Sequence, residues 1–114
     1  MYDKNNIFHK ILRSEIPAKI IYEDDTVLSF HDINPVSKIH ALVITKGLYS
    51  DFPDFIARAS AEEVKHFFAA VAKVAEILGV SESGYRILSN AGPDSGQEVP
   101  HFHLHILGGE RLRR

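Results

Sequence analysis

Residues 101–107 read His-Phe-His-Leu-His-Ile-Leu, and strict alternation of polar with apolar side chains favours one backbone, a β-strand with two unlike faces. Phe102, Leu104 and Ile106 make an ordinary core face. His101, His103 and His105 make the other, and a strand has no need of a row of imidazoles in order to fold. Residues 90–100 lead into it as Asn-Ala-Gly-Pro-Asp-Ser-Gly-Gln-Glu-Val-Pro, where Gly92, Pro93 and Gly96 impose an irregular path. An irregular loop feeding a row of imidazoles reads as a site that holds an anion and attacks it.

The rest of the chain supplies a frame for this strand. Asn5 or Asn6 can cap a short helix over residues 7–13, which Pro17 prevents from continuing. Ile7, Phe8, Ile11 and Leu12 share its apolar face. Residues 19–23 and 26–31 are β-rich runs on either side of Asp24-Asp25, the spacing of an antiparallel hairpin. Pro35 ends the second run, and residues 39–45 form a third strand apolar enough to be central, with His40 near its start. Phe52-Pro53-Asp54-Phe55 indicates a turn followed by a short helix. Ser60 and Glu63 form a capping box. Val64, Phe67, Phe68, Val71, Val74, Ala75 and Leu78 then recur at helical spacing up to Gly79. His66 lies off that stripe and is expected in solvent. A fourth strand is expected over residues 85–90. The pattern predicts an α+β fold with a mainly antiparallel sheet, one single domain over residues 1–114.

Composition narrows the function. A formal net charge of −2 argues against a general nucleic-acid binder, and no apolar run approaches the roughly 20 residues that cross a bilayer. Without cysteine, thiolate metal sites and disulfides are excluded, and with no apolar signal core at residues 1–6 the expected location is cytoplasmic.

Imidazole can serve as metal ligand, acid or base, or nucleophile. On a regular strand, neighbours two residues apart lie about 6.6 Å apart and the outer pair about 13 Å apart, too far to close a three-ligand site. Two of the imidazoles joined by His40 could still do so. Nucleophilic use fits the spacing better. The central His103 can present one ring nitrogen to phosphorus if an acceptor keeps the other protonated, while its neighbours donate to phosphate oxygens or carry a proton. Backbone N–H groups around Gly96 can serve the same oxygens.

The motif His101-x-His103-x-His105 with its apolar flanks resembles the histidine triad (HIT) family. Similarity to its Hint branch extends to Ile7-Phe8, Lys10-Ile11-Leu12-Arg13, the run from Glu15 to Asp25, Phe30-His31-Asp32-Ile33, Gly96-Gln97 and Gly108-Gly109. The resemblance covers residues 7–109 and implies a five-stranded sheet with one long and one short helix, paired in a homodimer as a ten-stranded sheet. It implies hydrolysis of purine nucleoside 5′-phosphoramidates, AMP joined to an amine, without metal or cofactor. By motif position His103 is the nucleophile forming a nucleotidyl intermediate, supported by His101, His105 and His40. Asn90, Gly96, Gln97, Glu98 and Val99 contact the phosphate and leaving side, Asp32 holds the ribose, and Ile7, Phe8, Ile11, Ile16, Phe30 and Ile33 form the purine pocket. Leu48 stands where some members have a further histidine proposed for a proton relay. Dinucleoside polyphosphate hydrolysis, as in the Fhit branch, and a non-catalytic nucleotide-binding role in protein interaction are the alternatives; the similarity over residues 7–25 favours Hint.

Overall fold

The computed structural model describes residues 2–114. Strands β1 (Ile20–Glu23), β2 (Val27–His31), β3 (Ile39–Thr45), β4 (Tyr85–Leu88) and β5 (His103–Gly108) form one sheet in the order β1-β2-β3-β5-β4. Every neighbouring pair is antiparallel. Around it lie helices α1 (Ile7–Leu12), α2 (Phe52–Arg58) and α3 (Ala61–Ile77). The architecture is α+β as the pattern predicts, with a second short helix in addition to the one implied by resemblance. In α2 the Asp51 carboxylate caps the first turn, Pro53 sits where no N–H is needed, and Phe55 points into the core.

Register sorts the side chains. Leu42 lies opposite both Phe30 and His105, and Ile44 opposite both Leu28 and His103. Directly opposed residues share a face, so Leu28, Phe30, Leu42, Ile44, His103 and His105 lie on one side of the sheet. There they meet Phe8 of α1 in a small core. The other face, with Val27, Ala41, Val43, Leu104 and Ile106, packs against Phe55 and the buried side of α3. The apolar run of β3 follows, since this central strand is covered on both faces.

One local expectation changes. β5 begins at His103 rather than at residue 101. Pro100 has no N–H, the His101 N–H turns back to the Val99 carbonyl, and the Phe102 N–H goes to the Tyr49 carbonyl instead of the ladder. His66 is exposed, as expected off the apolar stripe, and its Nε2 lies 2.7 Å from the Asp24 carboxylate. That carboxylate also accepts from the Thr26 and Val27 N–H groups and the Tyr22 hydroxyl, so the β1–β2 turn is tied to α3. The Asp24 carboxyl is held down at about 2; its hydrogen bonds outweigh the opposing effect of burial.

Candidate active site

The site forms where β5, the start of β3, α1 and the loop of residues 90–100 converge. His103 and His105 project from β5 into a cavity of about 190 Å³ whose wall also includes Phe8, Asp32, Leu42, Asn90, Gly96, Glu98 and Val99. Phe8 packs edge-on against His103, with ring centroids 4.9 Å apart. The loop holds its shape by its own bonds. Gly92 and Gly96 have φ of 84° and 80°, in the left-handed region, and bracket a 3-10 turn over Pro93–Ser95. The Gln97 side chain accepts from the Gly92 N–H and donates to the Ser50 and Val99 carbonyls. Gln97 therefore braces the loop.

The hydrogen bonds assign a tautomer to each imidazole of the cluster. His103 Nδ1 lies 2.7 Å from the His101 carbonyl oxygen, so Nδ1 carries the proton and Nε2 the lone pair. His40 Nδ1 accepts from the Val36 N–H at 3.1 Å, which puts the proton of the neutral ring on Nε2. That proton goes to His105 Nδ1 at 2.9 Å, and the Asp32 carboxylate lies 3.4 Å from the same nitrogen of His40. His105 is then protonated on Nε2, the nitrogen not engaged by His40. Each assignment follows from a fixed backbone donor or acceptor at the end of the chain.

Burial pushes all four imidazoles below their ordinary range. His101 falls to about 4, with the neighbouring His103 and His9 adding to burial and the Thr45 carbonyl opposing it. His105 also falls to about 4, from burial and the adjacent His103 and His40. His103 and His40 move in the same direction from burial, resisted by the His101 carbonyl and Asp32 for the first and by Asp32 for the second. At neutral pH the cluster is uncharged, and His103 keeps a lone pair to donate.

Asp32, His40 and His105 bring three possible ligand atoms within 4.8 Å of one another. The donor pattern does not suit a cation. A metal on His40 Nε2 would take the lone pair there and move the ring proton to Nδ1, where it would face the Val36 N–H. Metal-bound histidines place an acceptor at that position, and here there is a donor.

The remaining predicted residues fall in different places. His101 does not reach the cavity; it is fully buried, with Nε2 bonded to the Thr45 carbonyl, and it acts on His103 through its backbone oxygen. Ile33 lines a second cleft of about 700 Å³ with Pro17, Ala18, His31 and Pro35, and this cleft meets the imidazole cavity at Asp32. Phe30 is in the core beneath α1, Ile11 packs against that core and faces a separate groove beside Ile20 and Lys46, and Ile7 is largely exposed. Ile16, half-buried, lines neither cavity. Sequence reasoning missed Leu42 in the cavity wall and the Val36 N–H. The register of β3 against β5 could have supplied the first; a backbone amide leaves no mark in a sequence.

Comparison with known proteins finds relatives along almost the whole chain. The pattern of the HIT domain matches residues 13–112. A HIT-like protein of Azospirillum brasilense is 54% identical over 97% of the chain and 91% of its own length. The purine nucleoside phosphoramidase of Escherichia coli is 40% identical over 96% of the chain and 91% of its own length. Among solved structures, a HIT family hydrolase from Clostridium thermocellum superposes with a TM-score of 0.89 at 38% identity, covering 98% of this chain and 96% of that one.

Proposed function

The chain belongs to the HIT domain family, and on that premise we propose that it hydrolyses purine nucleoside 5′-phosphoramidates through a nucleotidyl intermediate on His103. The observation that carries the proposal is the bond from His103 Nδ1 to the His101 carbonyl, which leaves Nε2 unprotonated beside the cavity. In the first step that nitrogen attacks the α-phosphorus, forming a P–N bond to the imidazole as the P–N bond to the amine breaks. The departing amine takes up a proton from water, and the Nε2–H of His105, a tautomer that His40 holds from behind, is placed to donate a hydrogen bond to the departing nitrogen. In the second step water attacks phosphorus and gives up its proton to solvent, the bond to His103 breaks, and AMP leaves, which returns the proton taken up in the first step.

Asn90 and the N–H groups of Glu98 and Val99 would receive the phosphate oxygens, since the Gly96 and Gln97 N–H groups are spent on the Pro93 and Gly92 carbonyls. Asp32 stands between the imidazole cavity and the larger cleft, where its carboxylate can accept from two ribose hydroxyls. This favours the cleft beside Ile33, Pro17 and Ala18 for the purine, with Phe8 in the wall of the adjoining imidazole cavity. Phe30 and Ile11 share the small core beneath α1 with Ala18 of that wall. No step calls for a metal or cofactor.

We also propose that the chain pairs as a homodimer through the open edge of β4, beside which Tyr85, Ile87 and Ile77 are exposed. No helix among the described residues is long and apolar enough to cross a membrane.

The test is hydrolysis of adenosine 5′-phosphoramidate, with chelator present, by the wild-type protein and by His103→Ala. Expected is wild-type turnover that falls on the order of 10⁴-fold or more in the variant, with AMP binding retained. Binding of AMP without turnover by the wild type would overturn the enzymatic reading, and faster hydrolysis of diadenosine polyphosphates would overturn the substrate class.

A further inference from the structure

Tyr2 makes a contact that no strand or helix requires. Its hydroxyl bonds to Nδ1 of His101, ninety-nine residues away in sequence. The proton assignment is forced. His101 Nε2 lies 2.7 Å from the Thr45 carbonyl and must donate to it, so Nδ1 is an acceptor and the phenol is the donor. The phenol oxygen in turn accepts from Asn6 Nδ2 at 2.8 Å. Asn6 is itself fixed, its amide donating to the Asp3 carbonyl and its oxygen capping α1 through the His9 N–H. The Tyr2 ring sits edge-on to both His9 and His101, with centroids 5.8 and 5.5 Å away.

The consequence reaches the reacting atom. The His101 ring is held at both nitrogens, its N–H is held by Val99, and the peptide unit that carries its carbonyl is held by the bond from the Phe102 N–H to Tyr49, so residue 101 has one orientation. In that orientation the His101 carbonyl meets His103 Nδ1. We infer that Tyr2 is a positioning residue: held by Asn6, its phenol locks the buried His101 imidazole and thereby the carbonyl that keeps His103 in its attacking tautomer. Without the hydroxyl, a fully buried acceptor loses its donor, a costly state that the ring escapes by rotating or changing tautomer. Either escape releases the Thr45 bond and loosens residue 101, whose carbonyl holds His103. The same two residues set the start of α1 and so the placement of Phe8 against His103.

This inference rests on His103 acting as the nucleophile for its kinetic part, but its structural part can be read without any turnover. The experiment uses Tyr2→Phe, which removes one oxygen, and Asn6→Asp, which keeps the α1 cap acceptor but removes the donor to the phenol. Imidazole ¹⁵N shifts report the His103 tautomer at pH 7.5, well below the melting temperature of each variant. Steady-state kinetics on adenosine 5′-phosphoramidate report the rest.

Expected is a shift of the His103 proton from Nδ1 toward Nε2 in both variants, with kcat lowered about five- to twentyfold and KM within about twofold, the signature of a loss at the reacting group rather than in binding. Unchanged ¹⁵N shifts overturn the inference, whether or not kcat falls alongside thermal stability. A wild type with no turnover would overturn the proposed reaction alone, leaving the tautomer shift to decide the role of Tyr2.

Discussion

His103 keeps a lone pair near neutrality because its surroundings oppose its protonation. Its pKa lies below the ordinary imidazole value of 6.5, chiefly from burial. The kcat/KM profile for phosphoramidate hydrolysis should therefore hold its plateau below pH 6.5 and fall only when the folded protein takes up a proton on His103. An acidic limb centred at or above 6.5, measured between pH 4.5 and 8, would contradict this. The same burial has a sign for stability. A group whose folded pKa lies below its unfolded value binds more protons when unfolded, so stability is whole above about pH 6.5 and declines as acid is added. His101, at about 4 in the folded protein, should cost about 3 kcal/mol once the pH has fallen to its folded pKa. The row of imidazoles was legible in alternation alone. The division of labour among them was not. His101 serves through its backbone oxygen because Pro100 and the turn at Val99 take it out of the strand, and no side-chain pattern records where a carbonyl points.

Among elements, α3 was legible from its long apolar stripe at helical spacing, and the strands from β-rich runs bounded by turn residues. The segment before α3 was harder to read, since α2 occupies only Phe52–Arg58, too short for a helical period to stand out. Its contribution is concentrated in Phe55, which stacks on Phe102 with centroids 4.7 Å apart and touches Phe67 edge-on. Phe102 is the residue between His101 and the first residue of β5, and its N–H is held by the segment leading into α2. The helix thus supports the backbone that presents the imidazoles from the face opposite to them. Phe55→Ala should cost about 3–5 kcal/mol in urea unfolding, because a fully buried ring leaves a cavity that neighbouring aromatic rings cannot easily fill. A loss under about 1 kcal/mol would show that α2 merely covers the surface.

At the scale of the whole molecule, the sheet ends in two unlike edges. β1 pairs with β2 through an irregular register between Ile20 and Tyr22, a distortion that makes an edge a poor template for a further strand. β4 pairs in regular register with β5 along its length and leaves its outer side open, with Tyr85 and Ile87 exposed on the strand and Ile77 exposed on α3. A regular open edge flanked by apolar side chains is the better place to continue a sheet. Antiparallel pairing of β4 with its copy would join two five-stranded sheets into one and put two β5 strands, each next to β4, near the centre. Light scattering at micromolar concentration should then give twice the 12.8 kDa of one chain. Ile87→Lys places a charge on the exposed flank of that edge while leaving the imidazoles untouched, and should bring the mass down to that of one chain without a comparable fall in thermal stability. A wild type that scatters as a single chain would remove the dimer. A dimer that survives both Ile87→Lys and Tyr85→Lys would place the contact elsewhere, and the β4 edge would then need another explanation for its exposed apolar flank.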